Sequence, residues 1–178
     1  MKSQRGLSLL EVLIAMVVMA FGLLGIAGLQ TTALANNFIA LQYTQSAMLG
    51  QNMLEKMRAN PVAVANKQYD IAAGSTPTAP SRNCATESCT SAELAAWDLA
   101  VWYSTIAEGT SYSNVPAGPK GQLPGSKIAI ICADTPCLAS STRLITIYWD
   151  ADRTGASGLA CNPSSSADAK CFRLAYVP

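Results

Sequence analysis

The sequence contains no histidine, and this absence removes several kinds of chemistry at once. Ser-His-Asp and Cys-His catalytic arrangements need an imidazole as the general base, so they are excluded within this chain. The sequence also has neither a Gly-x-Gly-x-x-Gly fingerprint nor a P-loop, the usual cradles of nucleotide phosphates. We therefore predict that the chain is not an enzyme and that it needs no cofactor.

Charge is scarce, since only 13% of the residues are acidic or basic and the net charge is +1. A near-neutral chain without a basic cluster gives no electrostatic footprint for nucleic acid, so we expect no nucleic-acid partner. The acids Asp98, Asp134, Asp150 and Asp152 are scattered. The segment Asp150-Ala-Asp152-Arg153 lacks the spaced oxygen ligands of a calcium loop, and we interpret it as a turn with solvated charges.

Cysteine is missing from the N-terminal part, because all six cysteines follow residue 80. They form three close pairs in the sequence: Cys84 and Cys89, Cys132 and Cys137, and Cys161 and Cys171. An even number of cysteines in an exported domain indicates disulfides. We favour the three local pairs because each closes a short loop bracketed by turn residues, although sequence alone leaves other connectivities open. A zinc site is the weaker alternative, since histidine and Cys-x2-Cys spacing are both missing, and we predict no metal.

The N-terminal region contains a long apolar run with almost no charged residues. Lys2 and Arg5 precede it, Glu11 is its one acid, and Val12 to Leu29 is uncharged. As a helix, Leu7 to Leu29 would measure about 35 Å, enough to cross a hydrocarbon core of ~30 Å. The basic residues place the N-terminus in the cytoplasm and the remainder outside the inner membrane. An acid inside such a helix costs roughly 2.5–3.5 kcal/mol, which neither a signal peptide nor an ordinary anchor needs.

The helical pattern continues well past this run. Apolar residues with a spacing near 3.6 form a stripe that we predict to pack on a folded domain: Leu34, Phe38, Leu41 and Met48. Met53, Leu54 and Met57 extend the apolar character, and Asn60-Pro61 ends the helix because a residue before proline disfavours the α region. The sequence therefore predicts one helix from about Leu7 to Ala59.

The rest of the chain predicts a small α+β domain. Residues 61–90 read as a loop, and the capping box Thr90-Ser91-Ala92-Glu93 opens a second helix that runs to about Glu108 before Gly109. Its two tryptophans are predicted to pack in the core. Strand patterns follow at residues 127–132, 142–149 and 171–177. Three or four antiparallel strands with a long helix across one face make an α+β roll.

The segment Arg5-Gly6-Leu7-Ser8-Leu9-Leu10-Glu11-Val12 resembles the leader junction of type IV pilins and pseudopilins. The resemblance implies that a prepilin peptidase cuts after Gly6 and that Leu7 becomes the methylated N-terminus. Leu7 departs from the family's usual phenylalanine at this position. Glu11 corresponds to the family's characteristic acid, which meets a neighbouring subunit's N-terminal amine during assembly.

The same resemblance implies a domain order along the chain. Residues 1–6 are the leader peptide, 7–30 the transmembrane half of the helix, 31–60 its periplasmic half, and 61–178 a globular disulfide-bonded domain. The expected fold is the type IV pilin-like roll, in which the long helix packs on a small antiparallel sheet. The expected location is the inner membrane, as a single-pass protein with its C-terminal domain in the periplasm, and then the pilus at the cell surface.

Later segments are similar to the PilV-type minor pilins, also called type IV pilus modification proteins. These segments are Gly22–Gln30, Gln51–Asn60, the Cys84/Cys89 pair before Ala96–Leu99, and Ile145–Asp150. This resemblance implies a minor pilin that joins an inner-membrane or tip complex priming type IV pilus assembly. Its expected partners are other minor pilins, the major pilin, the prepilin peptidase, the inner-membrane assembly machinery and membrane lipid.

Two other functions remain open from the sequence. One is a minor pseudopilin of a type II secretion system, which shares the leader, helix and roll. The other is a membrane-anchored periplasmic adhesin or enzyme that never polymerises, and Glu11 argues against it. A further choice concerns Gly22, Gly25 and Gly28, which either allow close helix packing or mark a segment that stretches when subunits leave the bilayer.

Overall fold

The computed structural model describes residues 8–116 and 118–178. Its helices and strands follow in the order α1 Leu9–Ala59, α2 Pro61–Ala65, α3 Ser91–Ile106, β1 Lys127–Cys132, β2 Arg143–Trp149 and β3 Lys170–Tyr176. Two compact units divide within α1, one ending at Leu41 and the other running from Gln42 to Pro178. The long apolar helix and the three-stranded antiparallel sheet confirm the predicted α+β class.

Helix α1 ends at Ala59, where the sequence predicted its end. Asn60 follows in a non-helical conformation because Pro61 crowds its backbone. Lys56 and Arg58 lie in the last turn, where positive charge complements the partial negative charge of the helix C-terminus.

The face of α1 that packs on the domain is not the predicted one. The stripe side chains are open to solvent, with exposed fractions of 69% for Leu34, 50% for Phe38, 51% for Leu41 and 68% for Met48. The buried residues lie on another face of the helix: Gln42, Ser46, Leu49, Gly50, Met53, Leu54 and Met57. The sheet approaches the helix through its small residues, since a Cβ at Gly50 would lie 3.0 Å from the Phe172 ring. The buried face thus combines large apolar residues, among them Leu49, Met53 and Met57, with a glycine that allows close approach of the sheet.

Residues 61–90, predicted as a loop with little structure of its own, contain two ordered features. Pro61 opens the five-residue helix α2, where its missing N–H is no loss at the first helical position. Ile71 then forms a bridge with Ile130 of β1, exchanging two backbone hydrogen bonds of 2.9 Å, and Gly74 N–H donates to the Ile128 carbonyl. The segment therefore covers an edge of the sheet that would otherwise be open.

Helix α3 begins as predicted with a complete capping box. The Thr90 hydroxyl accepts the Glu93 N–H at 3.3 Å, and the Glu93 carboxylate accepts the Thr90 N–H at 2.9 Å. The helix ends at Ile106, two residues before the predicted end at Glu108. It stops there because the returning chain takes its last carbonyls, with Leu123 N–H donating to the Ile106 oxygen at 3.2 Å.

The sheet has the order β1-β2-β3, and each strand lies within one residue of its predicted limits. The register places Ile130 opposite Ile145, and Ile145 opposite Leu174. Alternate side chains therefore point to the same face. Together with α1 and α3 they form the main core, whose largest members include Met53, Met57, Trp102, Ile106, Ile147 and Trp149.

Candidate functional site

The two predicted processing residues, Gly6 and Leu7, lie outside the described residues. The description begins at Ser8, whose carbonyl accepts hydrogen bonds from the N–H groups of Glu11 at 3.0 Å and Val12 at 3.3 Å. Glu11 lies in the first turn of α1 and is exposed. Its carboxylate is therefore placed near the partial positive charge of the helix N-terminus.

Glu11 shares one side of α1 with apolar residues, namely Val12, Ala15, Met16 and Met19. None of the ion pairs formed within residues 8–116 and 118–178 includes Glu11. A carboxylate in apolar surroundings would be stabilised by a cation from another molecule. At ~4 Å and an effective dielectric constant of about 20, that attraction is about 4 kcal/mol before desolvation is subtracted.

Helix α1 is long and apolar enough to cross a membrane, by length and composition alone. Its most apolar 18-residue window has a mean hydropathy of 2.6 and no buried residue. C-terminal to the predicted membrane segment, the exposed stripe Leu34, Phe38, Leu41 and Met48 extends the apolar surface. We call these four residues the lower stripe.

Two tryptophans attach the C-terminal part of α1, from Gln42 onward, to the rest of the domain. The Trp102 indole of α3 donates to the Leu49 carbonyl at 2.8 Å, and the Trp149 indole of β2 donates to the Gln42 side-chain oxygen at 3.1 Å. Trp102 is 2% exposed, as the core prediction requires. Trp97, the other tryptophan of α3, is only half-buried. The Tyr43 ring meets Trp149 edge-on, with ring centroids 4.9 Å apart.

A polar network joins the end of α1 to α3. The Lys56 ammonium pairs with the buried Asp98 carboxylate at 2.6 Å, and the Tyr69 hydroxyl donates to the same carboxylate at 2.8 Å. The Asn60 side-chain amide donates to the Ser91 carbonyl at 2.8 Å. Burial, followed by the negative charge of Asp98, raises the pKa of Tyr69 far above its usual value. The tyrosine is therefore a permanent hydrogen-bond donor at physiological pH.

Arg143 forms a second buried polar centre, which the sequence reasoning missed. Its side chain is fully buried, and its guanidinium pairs with Asp70 at 3.0 Å. It also donates to the carbonyls of Ser141 at 2.7 Å and Val64 at 3.2 Å. Arg143 thus ties β2 to α2 and to the loop after β1. An arginine at the start of an apolar strand was the signal available in the sequence.

The cysteines are all paired, and the pairs are the three that sequence proximity favoured: Cys84–Cys89, Cys132–Cys137 and Cys161–Cys171. The first precedes α3, the second closes the loop after β1, and the third ties the start of β3 to the preceding loop. Across the part of the chain that the structure describes, no group of three Cys, Asp or Glu side chains could hold a metal ion.

The turn after β2 corrects one prediction about solvated charge. Asp150 is only 7% exposed. Its carboxylate accepts the N–H groups of Gly155 at 2.6 Å and Thr154 at 3.1 Å. Burial by itself would raise the pKa of Asp150, but these hydrogen bonds outweigh it and hold the pKa below its usual value. Asp152 is exposed, and Arg153 pairs with Glu108 at 3.0 Å, so these two fit the prediction.

The two long loops of the domain are joined to each other. The Tyr112 hydroxyl donates to the Pro77 carbonyl at 3.0 Å, and the Asn114 amide donates to the Pro80 carbonyl at 2.8 Å. Arg82, in the first loop, pairs with Glu93 of α3 at 3.1 Å. Hydrogen bonds therefore join residues 72–90 to residues 109–116.

Comparison with known proteins finds two family models that match the N-terminal part of the chain. Residues 1–27 match the family model described as the prokaryotic N-terminal methylation motif, and residues 28–100 match the model described as type IV pilin Tt1218. No curated protein and no solved structure matches the chain. Neither family model distinguishes a PilV-type minor pilin from other pilins. Residues 28–100 are therefore similar to type IV pilin Tt1218, and residues 1–27 are similar to the N-terminal methylation motif.

Proposed function

We propose that this chain is a minor type IV pilin that joins other subunits in an inner-membrane complex and primes pilus assembly. In this proposal, a prepilin peptidase cuts after Gly6 and methylates Leu7. The observation that carries the proposal is the surface of α1, where a membrane-length apolar segment with one acid continues into the exposed lower stripe.

The lower stripe supports assembly because its side chains need a cover that the described part of the chain does not supply. Burying one Leu, Phe or Met side chain contributes about 1.5–3 kcal/mol. The helix of another subunit, packed along Leu34, Phe38, Leu41 and Met48, would bury several such side chains, and each would add to the free energy of association. A membrane anchor that never polymerises would have no use for such a stripe outside the bilayer.

Glu11 supports the same proposal from the other end of the helix. After cleavage, a neighbouring subunit carries a positive N-terminal amine at the depth where Glu11 lies. The pairing would offset the cost of placing a carboxylate in lipid, which is otherwise roughly 2.5–3.5 kcal/mol.

The irregular loops favour a priming role over bulk fibre. A repetitive fibre needs a surface that fits copies of itself, whereas a priming complex needs different surfaces for different neighbours. The surface formed by residues 72–90, 109–116 and 118–126 is long and irregular, and the Cys84–Cys89 disulfide restrains its first loop. The similarity of the later segments to PilV-type minor pilins supports the same role.

The proposal is tested by deletion and by immunogold labelling. Deletion should leave few or no surface pili, with the major pilin still made but stranded in the inner membrane. Gold against this chain should be sparse and confined to pilus ends or bases, and dense labelling along the shaft would contradict a minor role. Crosslinking in membranes should recover other pilins, whereas recovery of secretion pseudopilins would favour a type II secretion role.

A further inference from the structure

Two of the three disulfides close loops of the same length. Cys84–Cys89 and Cys132–Cys137 both join cysteines with a sequence separation of 5, and all four residues are half-buried. Ring size is therefore equal, and the four cysteines fall in the same intermediate class of exposure. The difference that bears on reactivity is a cation, because Arg143 donates to the Cys132 sulfur at 3.5 Å, while no such contact is found at Cys84 or Cys89 among the described residues.

The arginine is held firmly against this sulfur. Arg143 is 0% exposed, and carbonyl oxygens of Ser141, Leu138 and Val64 fix the orientation of its guanidinium. An ionic interaction inside a protein is screened much less than one at the surface. A thiolate formed at Cys132 would therefore be stabilised by a positive charge already in place.

We propose that Cys132–Cys137 is a thiol–disulfide exchange site of the domain, with Arg143 as the positioning residue that stabilises Cys132 as the leaving thiolate. The class of co-reactant is a thiol, either a small one such as glutathione or the dithiol of a protein oxidoreductase.

The exchange balances in two steps. An incoming thiolate attacks the Cys137 sulfur, a bond forms between these two atoms, and the Cys132–Cys137 bond breaks with its electron pair leaving on Cys132. A second thiolate then attacks the incoming sulfur, releasing Cys137 as a thiolate and forming the disulfide of the co-reactant. The protein gains two electrons and the two thiols lose them. Attack falls on Cys137 because the better-stabilised thiolate leaves faster.

Two carboxylates near Arg143 weaken its stabilisation of a Cys132 thiolate. Substitutions of Arg143 and of Asp70 should therefore change the rate of reduction in opposite directions. Asp70 pairs with Arg143 at 3.0 Å and neutralises part of its charge. Asp134 lies in the same loop and accepts the Thr142 N–H at 3.3 Å. Removing the charge of Asp70 should therefore leave Arg143 more available to Cys132, whereas removing the guanidinium should abolish the effect.

The experiment follows reduction of the full chain, folded in detergent, by reduced glutathione at neutral pH. Acid quenching, alkylation and peptide mass mapping then give the rate for each disulfide within one sample. We expect Cys132–Cys137 to be reduced about tenfold faster than Cys84–Cys89, with the first glutathione attached to Cys137. Asp70→Asn should increase this ratio, and Arg143→Gln, which removes the positive charge, should bring it close to one.

Arg173→Gln is the matched control, because Arg173 contacts Cys161 at 3.4 Å but is exposed to solvent. Its substitution should change the Cys161–Cys171 rate less than about twofold, since water screens the charge. If Arg143 only held the loop in shape, Arg143→Gln would loosen the loop and accelerate reduction of Cys132–Cys137. That result would overturn the proposal, as would equal wild-type rates for Cys84–Cys89 and Cys132–Cys137.

Discussion

Glu11 is the only charged residue between Arg5 and Glu55, so the effect of its charge can be measured without interference from neighbours. None of the ion pairs among the described residues includes Glu11, and in the proposed membrane location its removal would take an unfavourable group out of lipid. At the scale of one residue, we therefore expect Glu11 to separate membrane insertion from assembly.

We predict that Glu11→Ala leaves insertion and folding intact but impairs entry into the pilus complex. The substitution removes the attraction to a neighbour's N-terminal amine, which is at most about 4 kcal/mol before desolvation. Co-purification with other pilins from crosslinked membranes measures the effect. Glu55→Ala, on the same helix, is the control and should assemble normally, and assembly of Glu11→Ala at the wild-type level would show that the assigned role is wrong.

Asp98 is the residue on which the polar network at the end of α1 depends. Its carboxylate is 7% exposed and serves both Lys56 and Tyr69. We predict that Asp98→Ala lowers the free energy of unfolding by about 2–3 kcal/mol, because a half-buried ammonium and a buried hydroxyl lose their acceptor.

Urea unfolding of the detergent-solubilised protein measures this loss. The control is Arg58→Ala, which breaks the pair with Glu55 at side-chain exposures of 58% and 64% and should cost less than about 0.5 kcal/mol. Equal losses for the two variants would mean that burial gives Asp98 no special weight.

At the scale of secondary structure, the start of α3 is set by a local signal that acts through two residues. We predict that Thr90→Ala costs about 1 kcal/mol of stability, because the Glu93 N–H loses its acceptor at the helix N-terminus. Thr105→Ala in the same helix is the control. Its hydroxyl bonds the Val101 carbonyl within the helix, and its loss should stay within about 0.5 kcal/mol.

The same cap predicts a dependence of stability on pH. Hydrogen bonds from the backbone and then the hydroxyl of Thr90, with Arg82 nearby, hold the pKa of Glu93 below its usual value of 4.5. A carboxyl group with a depressed folded pKa contributes stability above its unfolded pKa and loses it as the pH falls through the folded value. Thermal unfolding of wild type and Glu93→Gln should therefore differ most at neutral pH and converge as the pH falls through the folded pKa of Glu93. A constant difference down to pH 2 would contradict this coupling.

At the scale of the whole molecule, two surfaces of α1 differ in their exposure to solvent. One face packs on the domain through Met53 and Met57, and the lower stripe stays open. We predict that a photoreactive residue at Phe38 crosslinks to other pilins in assembled material, whereas the same residue at Met53 crosslinks only within the chain. Gel mobility and mass spectrometry of crosslinked membranes separate the two outcomes. Intermolecular products from Met53 alone would reverse the assignment of the two faces.

The sequence by itself determined the features that depend on neighbours along the chain. The apolar run, the end of α1 before Pro61, the capping box at Thr90 and the three strands follow from local backbone preferences and periodicity. The favoured cysteine pairs also belong here, because closing a loop between near neighbours costs little chain entropy.

Only the tertiary structure decided which face of α1 is buried and where the buried charges lie. Hydrophobic periodicity selected Leu34, Phe38, Leu41 and Met48, but the buried face carries Met53 and Met57 together with Gly50, which allows close approach of the Phe172 ring. Arg143 and Asp150 look like surface charges in sequence. Their burial depends on acceptors and donors from distant or folded-back segments, such as Asp70 and Val64 for Arg143. Hydrogen-bond partners far apart in the chain meet only once the fold has formed.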